Sequence, residues 1–372
     1  MHKRVIRRII GGHRPLSSFQ LRLPPLNTGH PGKKRRDPKM RKLIWLVLAV
    51  FILYSGYWII GARGTEHAIA AWIDARASEG WQAETVEVKT RGFPARFDTA
   101  IMEPRLADPR TGVALSTPKI EILSQSFRPT RFTLHMAPEL TLASPYQRLD
   151  LTQDSAEAQL FVDPGPNLTL DHASVAIDGL KLLSTATWGV TLDSAQVASQ
   201  RRADDALTHD ITLNAQGFAP TGGLVEDLDP KGLLSDRFEE LDLKMTASFD
   251  SPWDIHALEG PRPQPTHIDV ENFSAHWGEL KLKLTGAFDV DKRGYPVGKV
   301  AVKAENWREM IELAIATGAI PENMSNLALR GGEMLAGLSG RKDTIDAELN
   351  LKDGMITLGF IPLGPAPRIV IR

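Results

Sequence analysis

Leu280-Lys281-Leu282-Lys283-Leu284 alternates apolar and basic side chains with a period of two. Successive side chains of a strand point to opposite faces, so this stretch has one dry face and one wet face. The same period runs through Arg131-Phe132-Thr133-Leu134-His135-Met136, Leu140-Thr141-Leu142, Leu149-Asp150-Leu151 and Ile211-Thr212-Leu213. It returns in Leu241-Asp242-Leu243-Lys244-Met245 and Ile345-Asp346-Ala347-Glu348-Leu349. Turn formers separate these runs: Asp108-Pro109, Asp163-Pro164-Gly165-Pro166, Ala219-Pro220-Thr221-Gly222-Gly223 and Gly260-Pro261-Arg262-Pro263-Gln264-Pro265. The pattern predicts a mainly β (α+β) fold built on a long, curved antiparallel sheet with one apolar face.

Two segments break the alternation. Asn306 to Ala319 places Trp307, Met310, Ile311, Ala314 and Ile315 on one helical face, with Asn306 expected as the N-cap and Gly318 near the stop. Pro321 to Leu338 reads as a second helix, weakened by Gly331 and Gly332. One or both are expected to pack on the apolar face of the sheet. Strands resume at Asp343 and turn at Asp353-Gly354, and Gly359 to Pro367 reads as a proline-bent tail.

Ahead of the sheet lies Leu43 to Ala62, LIWLVLAVFILYSGYWIIGA, with no charged residue. As a helix it reaches about 30 Å, the thickness of a bilayer's hydrocarbon core. Trp45 near one end and Tyr54, Tyr57 and Trp58 toward the other suit the water boundary. Residues 1–42 carry 13 Lys and Arg against Asp37 alone, so the positive-inside rule keeps the N-terminus in the cytoplasm and exports the rest. A cleaved signal peptide is the competing reading, but the apolar core is longer than the usual ~7–15 residues and no small-x-small site follows it, which favours an uncleaved anchor. The expected order is a basic, disordered tail over 1–42, an anchor over 43–62, a juxtamembrane helix over 63–80, and a β-rich periplasmic domain over 81–372. The helix is capped by Thr65 and stopped by Gly80, and the domain divides into two halves near 219–236. Because Met40-Arg41-Lys42 itself resembles a natural start, residues 1–39 read as an over-extended one.

Composition narrows the chemistry. Beyond residue 42 the chain carries 31 basic and 44 acidic residues, a net charge of −13 that the near-neutral total conceals. Such a domain is a poor partner for nucleic acid and for broad electrostatic docking on anionic lipid surfaces. With no Cys there are no disulfides, thiolate metal sites or thiol nucleophiles. Ser116-Thr117-Pro118-Lys119 matches the Ser-x-x-Lys of penicillin-binding enzymes, yet Pro118 and the strand pattern from Ile120 remove the helical turn that would aim the Lys at the Ser, and no Lys-Thr-Gly follows. His267 and His276, expected around a turn, lack metal-ligand spacing, while Asp204-Asp205 and the carboxylates from Glu226 to Asp229 read as solvated loop residues. No catalytic residue, metal or cofactor is expected.

Arg91-Gly92-Phe93-Pro94-Ala95-Arg96-Phe97 is the one stretch read as a candidate site. Gly92 and Pro94 bend the chain between a strand ending near Thr90 and one beginning near Arg96. Phe93 and Phe97 are placed to line the membrane-near mouth of an apolar groove, with Arg91 and Arg96 meeting lipid phosphate. The alternative is a strand crossover whose rings fill the core. This stretch, Met40-Arg41-Lys42 with its anchor, Asp291-Lys292-Arg293-Gly294-Tyr295-Pro296-Val297-Gly298, and the ending Leu351 to Pro365 together resemble an alphaproteobacterial family, domain of unknown function 2125. The resemblance runs from about Met40 to the end and implies location and fold more than mechanism. In architecture alone the chain also resembles the AsmA-like envelope proteins, which implies lipid handling or outer-membrane assembly. The resulting expectation is a non-enzymatic inner-membrane protein whose sheet shelters phospholipid or a hydrophobic segment in the periplasm. The alternative is a scaffold that binds envelope proteins through its sheet edges or acidic face.

Overall fold

The computed structural model describes residues 38–229, 232, 235–318, 320, 322–358 and 361–371. The tail expectations for 1–37, and those for Gly359 and Phe360, lie outside the described residues. Pro38–Ser78 forms one continuous helix, α1, so the stretches expected as anchor over 43–62 and as juxtamembrane helix over 63–80 belong to one element as far as Ser78. Proline suits a first helical position because its missing N–H has no partner there anyway. Thr65 is therefore not a cap; its Oγ1 donates back to Gly61 O at 3.0 Å. Gly80 does stop the helix, with φ +90° and its N–H on Ala77 O. Among the described residues the chain divides into two compact units, with the boundary between Leu53 and Tyr54.

Twenty strands follow among the described residues, all in one antiparallel open sheet. In chain order they are β1 Gln82–Glu84, β2 Glu87–Arg91, β3 Arg96–Met102, β4 Arg105–Asp108, β5 Val113–Ser116, β6 Lys119–Gln125, β7 Arg128–Met136, β8 Glu139–Ala143, β9 Arg148–Thr152 and β10 Ser155–Val162. The longer ones are β11 Leu170–Ser184, β12 Trp188–Arg201, β13 Thr208–Gly222, β14 Phe238–Phe249, β15 Pro265–Trp277, β16 Leu280–Val290, β17 Pro296–Glu305 and β18 Thr344–Lys352. Two short strands, β19 Met355–Leu358 and β20 Ile361–Pro365, close the order. From β11 to β20 each strand pairs with the next. Before β11 the sheet splits into two bands, β2-β3-β6-β7-β10 and β1-β4-β5-β8-β9, which pair with successive parts of β11.

The split is a crease that crosses the strands. Two-residue breaks at Thr85-Val86, Glu103-Pro104, Thr117-Pro118, Ala137-Pro138 and Gln153-Asp154 interrupt what are otherwise five long strands. Backbone bonds carry the crease from one strand to the next, from Val86 N to Met102 O, Glu103 N to Pro118 O, Ala137 N to Lys119 O, Gln153 N to Pro138 O and Asp154 N to Asp178 O. A proline cannot donate to the ladder, so three of these breaks are dictated by the chain itself. The expected division near 219–236 is not a sheet boundary, because β13 and β14 on either side of it pair in register from Thr208 and Ser248 to Phe218 and Phe238. The expected tail from Gly359 is in part a strand, since β20 pairs with β19.

Register turns the alternating sequence into two faces. One row runs Thr99, Ile122, Leu134, Ala158, Val175, Val197, Leu213, Leu243, Phe273, Leu284, Val302, Ala347. The row beside it on the opposite face runs Glu121, His135, Glu157, Ala176, Gln196, Asn214, Asp242, Ser274, Lys283, Lys303, Asp346. Helices cover one end of the apolar face: α4 (Trp307–Ala316) and α5 (Ser325–Leu338) pack Trp307 and Ala336 over Leu282, Ala304 and Ile345. Asn306 does not cap α4 with its side chain; it sits in the left-handed region at φ +56°, and its Nδ2 bonds Glu279 O instead.

Along the rim of the apolar face, Ala247, Phe249 and Ile268 are buried beneath Trp253, Ile369 and Ile371. His209, 1% exposed, belongs to this rim, its Nδ1 3.0 Å from Ser199 Oγ and its ring edge-on to Phe249. Burial, then the charge of Arg201, hold its pKa below the ordinary value, against smaller opposing effects of Asp171 and Asp210. The unfolded chain therefore takes up the proton first, and the fold loses stability as pH falls below about 6.5 toward the lowered folded value. His209→Gln is expected to flatten the dependence of the thermal midpoint on pH in that window, and a profile unchanged by the substitution would contradict this.

Candidate functional site

The candidate stretch folds as the β2–β3 hairpin, and its role is set by what it grips. Gly92 has φ +101°, and a Cβ there would lie 2.9 Å from Arg96 Cβ and O, so only glycine fits the turn that Arg96 N closes on Gly92 O. The Phe93–Pro94 peptide is cis. Pro94 O accepts from Tyr54 Oη at 3.0 Å and from Ser126 Oγ at 2.9 Å. Tyr57 Oη donates to Ser126 O at 2.7 Å, and Trp58 Nε1 to Arg96 O at 2.8 Å. Three aromatic residues of α1 thus hold the ends of two hairpins, β2–β3 and β6–β7, through the backbone carbonyls of Pro94, Arg96 and Ser126.

Phe97 does not line a mouth. It is 7% exposed, stacked on Trp58 at 5.8 Å and edge-on to Tyr57 at 6.2 Å, and a Cβ at Gly61 would fall 2.7 Å from its ring. Its ring is packed against α1 rather than open to solvent, at the end of a hairpin and not of a strand crossover. Phe93 remains 46% exposed with its ring edge-on to Trp58. Arg96 pairs with Asp98 at 2.9 Å, and Arg91 is exposed at the end of β2. One turn farther along α1, Glu66 Oε1 accepts Thr90 N–H at 2.7 Å, which satisfies an edge-strand amide of β2.

The sheet face next to this joint is the second part of the site. Phe97, Ser124, Phe132, Leu160, Ala173, Ser199, Ile211, Met245 and Val270 share a row on the apolar side. Between the part under α1 and the part under α4 and α5, large apolar side chains are open: Leu160 is 44% exposed, Val175 44% and Val197 41%. The twelve-strand row from Thr99 to Ala347 measures about 50 Å at the usual strand spacing, over three times the ~15 Å half-thickness of a hydrocarbon core.

The other sequence candidates do not assemble. Lys119 Nζ pairs with Glu121 at 3.0 Å rather than addressing Ser116. His267 and His276 lie on one strand, β15, not around a turn, and bond Asp289 and Gly278 O respectively. Asp204 pairs with Arg202, and Glu226 sits on a short helix, α2 (Gly223–Leu228), rather than in a loop. Among the described residues no three His or carboxylate side chains converge as metal ligands. Ser126 and Phe127 were not singled out from sequence. They sit between Gln125 and Arg128-Pro129 as an ordinary turn, and only the fold brings them beside Tyr54 and Tyr57.

Fold and site together define a one-sided, open antiparallel sheet gripped by an apolar N-terminal helix. The chain belongs to the family described as uncharacterized protein conserved in bacteria (DUF2125), whose model matches residues 58–367. No curated protein and no solved structure matches it, so the architectural likeness to AsmA-like envelope proteins has no counterpart in these comparisons.

Proposed function

We propose that this protein is a non-enzymatic, single-pass inner-membrane protein, its N-terminus cytoplasmic and its sheet periplasmic, that shelters phospholipid acyl chains along the open apolar face during envelope maintenance. The observation that carries this is the exposure of Leu160, Val175 and Val197 on the mainly apolar face, in two adjacent rows that start at Phe97, packed on Trp58 of α1, and at Thr99. Exposed apolar surface of that extent marks an interaction face, because water contact with it costs about 25 cal/mol per Å². A chain leaving the bilayer beside α1 meets Phe132 and Leu160 next in the row after Phe97. The edges favour lipid over a strand-pairing scaffold. β20 carries Pro362 and Pro365, β1 has three residues, and Glu66 of α1 occupies the amide of Thr90 on β2.

The test is a photoreactive amino acid placed at Val197 of the full chain in its own envelope, with Gln196 as the opposite-face control. Phospholipid adducts at 197 and none at 196 are expected. Adducts at 197 to protein alone would favour the scaffold. The full chain is needed, since an ectodomain begun at Arg63 would lack Tyr54, Tyr57 and Trp58, which hold the hairpins.

A further inference from the structure

We infer that the two hairpin tips gripped by α1, residues 92–95 and 126–127, form a bilayer-docking collar in which Phe93 and Phe127 enter the lipid interface and Arg91 and Arg128 meet anionic headgroups. This rests on reading α1 as the membrane anchor but not on acyl-chain sheltering. The depth argument comes from the helix. Its uncharged run ends at Ala62, and Arg63 marks the boundary. Tyr54 and Trp58, which bond the tips, lie eight and four residues before that end, about 12 and 6 Å along the axis. If the run spans the hydrocarbon core of about 30 Å, the tips sit within about 12 Å of its outer edge rather than above it.

The side chains at the tips suit that depth. Phe127 is 64% exposed and Phe93 46% exposed, and aromatic rings are favoured where bilayer meets water. The local charge runs against the rest of the domain. In a sequence that carries 44 acidic against 31 basic residues beyond position 42, the tips gather Arg91, Arg96, Arg128 and Arg131. Asp98 is taken by Arg96, Glu66 by the amide of Thr90, and the Arg131 guanidinium lies over Phe161 at 5.0 Å. Among the described residues Arg91 and Arg128 make no ion pair. Two unpaired guanidinium groups flanking two exposed rings match a phosphate-bearing surface over a hydrocarbon layer. A cation near an anionic leaflet gains most within a Debye length, and these stand where the anchor leaves the membrane.

The absence of Cys makes the test direct, because one introduced Cys is the only labelling site. Leu48→Cys, Phe93→Cys, Phe127→Cys and Tyr146→Cys forms of the full chain are spin-labelled and placed in phosphatidylcholine vesicles with or without phosphatidylglycerol. Accessibility is read with oxygen and a nickel chelate. Tyr146, 94% exposed in the β8–β9 turn beyond the crease, is the water reference. Labels at 93 and 127 are expected at interfacial depth, between those at 48 and 146, and deeper with phosphatidylglycerol. Arg91→Glu with Arg128→Glu is expected to remove the phosphatidylglycerol effect at 127 and leave 48 unmoved. Labels at 93 and 127 as open to nickel as 146, with 48 immersed, overturn the collar and leave the anchor standing. A water-exposed label at 48 overturns the anchor and the collar together, and a depth indifferent to phosphatidylglycerol overturns the role of the two arginines.

Discussion

Trp307→Ala is expected to lower the local unfolding free energy of α4 and α5 by about 3–5 kcal/mol, read as a fall of roughly two to four orders of magnitude in their amide hydrogen-exchange protection. Trp307 is 1% exposed and stands at the start of α4, over Ala304 of β17 and against Ala336 of α5. Its Nε1 donates to Lys342 O at 3.1 Å, and the Arg308 guanidinium lies over its ring at 4.7 Å. Truncation removes the largest buried side chain of the helical layer and leaves that carbonyl without its donor. Both helices are held mainly by this ring, so they should open while strands far from them keep their protection.

A built-in comparison separates packing from helix propensity. Gly331 and Gly332 are adjacent in α5. A Cβ at Gly331 meets nothing within 4 Å, whereas one at Gly332 would lie 2.1 Å from the Trp307 ring. Gly331→Ala is expected to raise protection by up to about 1 kcal/mol through propensity, and Gly332→Ala to lower it by overpacking. Equal effects at the two positions would show that Trp307 does not lock the layer.

The glycine pair also illustrates what the sequence discloses and what it withholds. From sequence both glycines simply weaken a helix; the reason for the second is a ring 25 positions away. The strands were legible because a half-buried face imposes a period of two on local sequence. The first C-terminal helix was legible from Trp307, Met310 and Ile311, and the second, within Pro321 to Leu338, was legible despite Gly331 and Gly332. The hairpin bend at Gly92 to Pro94 was legible for the same reason, since Gly and Pro act on their own backbone. The crease was not, because its members are a mixture of Pro, Asp and Thr that align only after the strands pair. Thr65 misleads as a cap because a cap is defined by where the helix starts, whereas Asn306 does stand at the N-cap position of α4 but makes no side-chain cap bond. The helix through Thr65 began at Pro38, and Asn306 spends its amide on Glu279 O. Phe127 carries no local signal at all; its exposure beside Tyr57 is a product of tertiary contact.

Val175→Asp combined with Val197→Asp is expected to abolish phospholipid retained by the full chain in native mass spectrometry while leaving the thermal midpoint nearly unchanged. The reasoning turns on exposure. In a face filled by its own side chains a carboxylate would be buried and would cost several kcal/mol, roughly, or unfold the chain. Val175 and Val197 are 44% and 41% exposed, so each Asp keeps access to water. The cost is strand propensity, which spans about 1 kcal/mol, plus a water-screened repulsion of about 0.2–1 kcal/mol between the two opposed carboxylates. Bound acyl chains change that balance, because they would strip the water from two adjacent carboxylates that face each other across β11 and β12. The same two charges are thus tolerated by the empty face and excluded by an occupied one. Gln196→Asp places a carboxylate one residue away on the opposite face, and the period of the strand makes it the matched control. Loss of lipid in the double variant alone would tie retention to the apolar face. Loss in both would assign it to overall charge, and retention in both would confine the lipid to α1 and leave the open face to another partner.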